Sequence, residues 1–600
     1  MSCAAPGQAS LGLAAAGSEL KIDFDTLHVS AGGVELSDKV AGLGKPSEVR
    51  WEGATARWSF PERGLAASAT TDHGRLIVTL TGDKGTVAWP ATGSSKTTAF
   101  QVPRGEGLNI PANDPFWNSA DSHLTDSPLE LAGAITMPFW GQTIGKAGVS
   151  YLVPTDIGST LKFSSQHGRL RATGGHDFTE GHEYTVAFSL TDSSPVAAAK
   201  DYRRWLAEHG QLSSLEQKIK ANPEAGKLIG AFHAYLWGDG RTPALPAKLR
   251  ELGIDRMWLG YDADFKGVTP GFVKAGKDAG YLVGPYDSYD NAQVPEEADN
   301  PTSKWPDNVW PDFCVRKADG SLQTGFGGRG CYVSSKALAD AEPTKHYLAD
   351  RVAKMTGTGV NSYFLDVDAA GELFNDHSKD HPMTKAQDRE YKLDRMRKQH
   401  GKFVLGSESA GSWANQVLDY SHGSSTPVSP HYWEESKDKA NWGAYYPQTA
   451  PAFFFKPAKL SDNAVKAMFD PVYRVPLYST VLHDSVVTTD RWEIDLYKLP
   501  AQKRDRVLTA MLYNTPLNLV LDGKRLAEKG TEIAEYQRFF RAIQEKAGTR
   551  AMTGFEYLSA DKKVQRTTFG DFTITANFGT TESNGVPAGC VVADGKKLCP

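Results

Sequence analysis

Apolar and polar positions change rhythm along this chain in a way that divides it. From residue 18 to 194, short runs alternate, as in Arg75-Leu76-Ile77-Val78-Thr79-Leu80 and Tyr184-Thr185-Val186-Ala187-Phe188-Ser189-Leu190, with Gly, Asp and Ser between them. That period of two predicts antiparallel strands, and their regular spacing predicts a β-sandwich. Residues 1–17 form a bland Gly/Ala/Ser segment expected to be flexible, and 195–226 read as a helical linker opened by Ser194-Pro195. Between 227 and 551, apolar runs alternate with amphipathic helical stretches. Strands are expected at 228–232 (followed by Tyr235-Leu236-Trp237), 256–262, 281–287, 362–368 and 403–408, then near 424–432, at 475–478 and at 517–521. Eight βα units predict a central (β/α)8 TIM-like barrel. The alternative, an open doubly wound sheet, lacks a Gly-rich phosphate loop after strand one. Short strands and turns return over 552–600, predicting a small C-terminal β domain, so the chain is multidomain.

Two of those runs end in acid. Ser362-Tyr363-Phe364-Leu365-Asp366-Val367-Asp368 and Phe403-Val404-Leu405-Gly406-Ser407-Glu408 flank a helical stretch rich in charge. Ligands of a parallel barrel sit at the carboxyl ends of its strands. Retaining cleavage of a glycosidic bond needs a nucleophilic carboxylate and an acid/base carboxyl about 5–5.5 Å apart. Adjacent strands lie about 4.8 Å apart, so consecutive strand ends can supply both. Asp366 is the expected nucleophile because it directly ends its apolar run, with Asp368 as rival, and Glu408 is the expected acid/base. Strand two offers Tyr261 and Asp262, strand three Asp287, and strand one Trp237 as sugar-binding groups, mixing acceptors for hydroxyls with aromatic faces for C–H edges. His483 and Asp484 beside strand seven are read as hydroxyl-binding groups, and Trp413, Trp433, Trp442 and Trp492 as partial cleft lining.

Composition narrows the partners. The chain has 600 residues, a net charge of −5 and a pI near 6.3, with basic residues scattered, which excludes nucleic acid as the expected partner. Cys314/Cys331 and Cys590/Cys599 are two locally spaced pairs and predict disulfides in an oxidising compartment: periplasmic, cell-surface or secreted. Cys3 reads either as a lipid-anchored bacterial N-terminus or as a cloning scar. No apolar run is long enough for a transmembrane helix. No His-Glu-x-x-His or Gly-x-Ser-x-Gly motif occurs. No metal or other cofactor is expected; the Asp content is compatible with calcium, but no loop of defined ligand spacing supports it. An oligosaccharide or glycoconjugate is the expected substrate. A non-catalytic glycan-binding barrel and a metal-dependent hydrolase are the other readings.

The barrel segment Phe364-Leu365-Asp366-Val367-Asp368-Ala369, the His377-Ser378 and His381-Pro382-Met383-Thr384 stretch and Gly406-Ser407-Glu408 resemble glycoside hydrolase families 101 and 129. The resemblance covers mainly residues 225–525. It implies a retaining α-N-acetylgalactosaminidase with Asp366 as nucleophile, Glu408 as acid/base and Asp262 as a sugar-binding carboxylate. The chain is short beside the endo-acting members of family 101, so exo action on a terminal α-linked sugar is expected, with α-galactosidase or α-glucosidase activity as the alternative.

Overall fold

A computed structural model of the chain describes residues 13–15, 18–264, 267–444 and 450–600. Cys3, and with it the lipid-anchor reading, lies outside the described residues. The chain divides into two compact units, Met1–Trp205 and Leu206–Pro600.

The first unit is mainly antiparallel β structure, ending in the helix Ala197–Glu208 that runs into the second. A nine-stranded sheet and a four-stranded sheet make up most of it, with a small four-stranded sheet at its start. The two larger sheets meet through rings: Trp89 of one contacts Phe188 and Tyr184 of the other at 5.5 and 6.3 Å. The expected sandwich is therefore held by alternating apolar positions facing inward from both sheets.

The second unit contains eight parallel strands: β1 (Phe232–Leu236), β2 (Met257–Tyr261), β3 (Leu282–Ser288), β4 (Ser362–Asp366), β5 (Val404–Glu408), β6 (Tyr420–His422), β7 (Val487–Thr489) and β8 (Asn518–Leu521). Their order is β7-β6-β5-β4-β3-β2-β1-β8. β8 bonds back to β1, and the Leu496 amide reaches Asn518 across the remaining seam at 3.0 Å, giving a nearly closed barrel. Three expected strands are displaced. The first starts at Phe232, because Pro223–Leu228 is a 3-10 turn. The sixth lies before 424–432, which instead leads into the helix Pro430–Glu435. The seventh is Val487–Thr489; the apolar run at 475–478 opens the helix Leu477–Leu482, since a short apolar run fits a buried helix as well as a strand.

Strand parity builds the interior. Trp258, Leu282, Phe364, Val404, Tyr420, Val487 and Val520 share one buried cluster inside the barrel, whereas Tyr363, Leu365 and Leu405 belong to the cluster outside it. Inward glycines make room for the large rings. A Cβ on Gly406 would lie 2.1 Å from the Tyr420 ring, and one on Gly284 would lie 2.2 Å from the Ser362 carbonyl oxygen. Ser362 satisfies the polar atoms of this layer: it accepts from the Trp258 indole N–H at 2.9 Å and donates to the Val404 carbonyl at 2.8 Å.

Both expected disulfides are formed. Cys314–Cys331 pins the long excursion between β3 and β4, and Cys590–Cys599 closes a hairpin of the five-stranded C-terminal sheet. That hairpin turns through Asp594 and Gly595, both at positive φ as a type I′ turn requires. No helix among the described residues is long and apolar enough to cross a membrane.

Gly406→Ala is expected to overpack the barrel and cost about 1–3 kcal/mol. Urea unfolding checks it: the midpoint should fall with the slope unchanged, and a wild-type midpoint would show that the Tyr420 ring has room to move.

Candidate active site

In the ladder between β4 and β5, Leu365 stands opposite Ser407, and the next residue on each strand is the acid, Asp366 and Glu408. Residues two apart share a face, so Asp366 points inward with Phe364, and Glu408 inward with Gly406. Each strand is then broken by a residue in the left-handed region, Val367 at φ 52° and Ser409 at φ 43°. A β-branched residue there is strained by about 1–3 kcal/mol. Local bonds hold the turns: Asp368 N–H to the Asp366 carbonyl, and Ser409 N–H to the His422 carbonyl, both at 2.8 Å. The turn at Val367 carries Asp368 to the other side of the strand. There it forms a buried two-point pair with Arg395 of the helix Lys385–Arg397, with Nε to Oδ2 at 2.8 Å and a second bond to Oδ1.

The two inward acids have different neighbours. Tyr286 of β3 donates its hydroxyl proton to Asp366 Oδ2 at 2.7 Å, while the buried Oδ1 has no hydrogen-bond partner among the described residues. Burial, and then the charge of Glu408, push the Asp366 carboxyl well above the usual carboxylate range; the Tyr286 bond opposes them. Glu408 Oε1 accepts from Arg491 at 2.5 Å. The same guanidinium holds Glu493 by two bonds of 2.6 and 3.1 Å and lies over the rings of Tyr432 and Trp433. Burial pushes Glu408 up to about 7; Arg491 opposes the rise, and Glu493 adds to it. Two carboxyls this close titrate as a pair.

Beside them lies an open pocket lined by Tyr235, Leu236, Trp237, Asp262, Tyr286 and Trp492. Trp237 stacks on Phe454 at 5.3 Å, and Trp492 meets Phe454 at 5.6 Å and Tyr286 at 5.9 Å. Asp262 at the tip of β2 is 9% exposed, and its Oδ1 accepts from the Ala263 amide at 2.6 Å. Burial first, then the neighbouring Asp264, raise its carboxyl; Arg241, paired with Asp264 at 2.6 Å, opposes the rise. An aromatic wall with a few aimed polar groups suits a ring with apolar faces and hydroxyl edges.

The other residues expected at the site lie elsewhere. Tyr261 points outward onto Phe272, and Asp287 points outward to Arg351 at 2.6 Å and the Tyr363 hydroxyl at 2.6 Å. Both are one residue out of phase with the inward face. Trp413 packs outside the barrel under Arg389 at 5.1 Å, and Trp442 is fully buried. His483 and Asp484 precede β7, at the amino ends of the strands. There the His483 ring bonds the Arg550 carbonyl at 2.8 Å, and the Asp484 carbonyl accepts from the Leu215 amide at 2.5 Å. Of the expected set, Asp366, Glu408, Asp262, Trp237 and Trp492 gather at the carboxyl ends, and Trp433 lies under Arg491. Tyr235, Tyr286, Arg491 and Glu493 join them; parity with Phe364, opposite Tyr286 in the ladder, was the signal for Tyr286. Among the described residues, no group of three or more His, Cys, Asp or Glu is placed to hold a metal ion.

Eight parallel strands with acidic and aromatic side chains gathered at their carboxyl ends place this chain among the glycoside hydrolases. The profile of the family described as glycosyl hydrolases related to the GH101 family, GH129, matches residues 248–568, and the chain belongs to that family. Among solved structures it resembles the α-N-acetylgalactosaminidase NagBb from Bifidobacterium bifidum. The GalNAc complex of that protein aligns with a TM-score of 0.68 at 17% identity over 94% of this chain and 98% of that one. The ligand-free form gives 0.69 at 18%, over 95% and 99%. A GH31-family sulfoquinovosidase from E. rectale aligns at 0.50 with 11% identity, over 93% and 85%. At these identities the likeness is one of fold. No curated protein sequence matches the chain.

Asp368→Asn separates structure from chemistry. Weakening the buried partner of Arg395 is expected to cost up to about 3–5 kcal/mol of stability. Turnover per folded molecule should remain near wild type; a folded variant without turnover would transfer the nucleophile's role to Asp368.

Proposed function

We propose that this enzyme is a retaining, exo-acting α-glycosidase that releases a terminal α-linked N-acetylgalactosamine from an oligosaccharide or glycoconjugate. The observation that carries the reading is the pair of inward carboxyls in consecutive register on β4 and β5, one with a bare oxygen and the other poised near neutrality. Membership of family 129 and the fold shared with an α-N-acetylgalactosaminidase support the choice of sugar. The two disulfides suit action outside the cytoplasm.

In this reading Asp366 attacks the anomeric carbon through Oδ1 while Tyr286 holds Oδ2. Glu408 protonates the departing glycosidic oxygen, so the proton of the pair resides on Glu408 when substrate is bound. A covalent glycosyl-enzyme forms on Asp366. Glu408, now ionised beside Arg491, takes a proton from water, which displaces Asp366 and restores the α configuration. Asp262 accepts hydrogen bonds from sugar hydroxyls, and Trp237 and Trp492 cover the apolar faces of the ring.

Azide separates the two roles. With an activated aryl α-N-acetylgalactosaminide, Asp366→Ala should fall by more than about 10³-fold and, with added azide, yield the β-glycosyl azide by single displacement. Glu408→Ala should yield the α-azide by double displacement. The same anomer from both variants, or near-normal hydrolysis by Asp366→Ala, would sink the assignment. Aryl α-galactosides and α-glucosides in parallel test the sugar.

The pH profile follows from the acid role. Glu408 works protonated, so kcat/KM should decline as pH rises through about 7. In Glu408→Gln, assayed on a substrate whose leaving group needs no acid, that alkaline decline should vanish. Its persistence would assign the limb to another group.

A further inference from the structure

Beneath the carboxylates lies a polar chain that the reaction above does not use. His233 Nδ1 is 2.8 Å from His422 Nε2, and His422 Nδ1 is 2.9 Å from the Tyr235 hydroxyl. Both imidazoles are fully buried, whereas Tyr235 lines the pocket. Neither ring has room to turn. His233 lies on Trp258 at 5.6 Å with the Tyr420 ring at its edge, and His422 is stacked on Phe364 at 5.1 Å. Burial drives His233 down to about 3 and His422 well below its ordinary value, so both rings are neutral and each carries one N–H.

Two neutral rings and a phenol joined by two hydrogen bonds can order their protons in only two ways. In one, Tyr235 donates to His422 and His422 to His233, which leaves the His233 Nε2–H as a buried donor. In the other, His233 Nδ1–H donates to His422 Nε2 and His422 Nδ1–H to the Tyr235 oxygen, which leaves His233 Nε2 as a bare acceptor. His233 Nε2 has no hydrogen-bond partner among the described residues. Orphaned buried donors are the rarer kind, which favours the second order. The surroundings of Tyr235 favour it again. The acids Asp366 and Glu493 act on its hydroxyl, so a proton turned toward them is stabilised.

We propose that Tyr235 is a hydrogen-bond donor to the sugar held in the pocket, its proton aimed there by a one-way chain from His233 through His422. This rests on the reading of the pocket as a glycoside site. His233 and His422 are then positioning residues, and what they supply is a tautomer rather than a charge.

The test has two independent readouts. With 15N-histidine labelling, both rings should show a directly bonded proton on Nδ1 and none on Nε2, the His422 resonances being identified by their shift in Tyr235→Phe. Protons on Nε2 of both rings would reverse the chain and overturn the proposal. Tyr235→Phe keeps the ring and removes the hydroxyl, both the donor to the sugar and the acceptor of the His422 Nδ1–H, and should lower kcat/KM about 10- to 100-fold on a substrate that wild type cleaves, as expected for one hydrogen bond in a charged site. Equal kcat/KM in both proteins would overturn the donor role while leaving the glycosidase reading intact. If wild type cleaves no α-glycoside, the reading of the site fails instead, and the tautomers alone decide the direction of the chain.

Discussion

Two carboxyl groups held side by side out of water repel each other and resist ionisation, and much of the barrel's upper end can be understood as a response to that cost. The register of β4 against β5 places them together. Tyr286 stabilises one, and Arg491 compensates the other while itself balanced by Glu493. The left-handed turns at Val367 and Ser409 end both strands at the acids, so the groups that follow cannot crowd the same space. Burial raises both Asp366 and Glu408, a property suited to acid/base work.

The layer below constrains that arrangement from inside the barrel. Trp258, Tyr420 and Phe364 fill the interior, and the absence of a side chain at Gly406 and Gly284 lets their rings and the adjoining backbone come close. Polar atoms among these rings are joined in short chains, Trp258 to Ser362 to Val404 and His233 to His422 to Tyr235. A core of this kind fixes ring orientations through hydrogen bonds as well as volume, and so transmits a defined geometry to the pocket floor.

Where the sequence expectations and the structure part, the reason is local signal. β6 and β7 are three residues each, Tyr-Ser-His and Val-Thr-Thr, too short to show a period, and the apolar run that imitated strand seven is a buried helix. Tyr261 and Asp287 were drawn to the site by standing at strand tips, but a one-residue phase difference turns them outward. Asp368 shares the parity of Asp366 only in a straight strand, and the φ of 52° at Val367 breaks that assumption. His483 and Asp484 stand before their true strand, so they fall at its amino end.

By itself, the sequence determined the three-part architecture, both disulfide pairs, and five residues, Asp366, Glu408, Asp262, Trp237 and Trp492, that meet at the carboxyl ends. Each of these rests on periodicity or short spacing, which a linear chain displays openly. Only the tertiary structure decided which face each strand turns inward and which distant residues complete the site. Arg491 and Glu493 come from the loop after β7, far along the chain from the acids they surround. Tyr235 depends on a histidine from β6 on the far side of the barrel. Such contacts follow from barrel closure and ladder register, and no local pattern of residues encodes them.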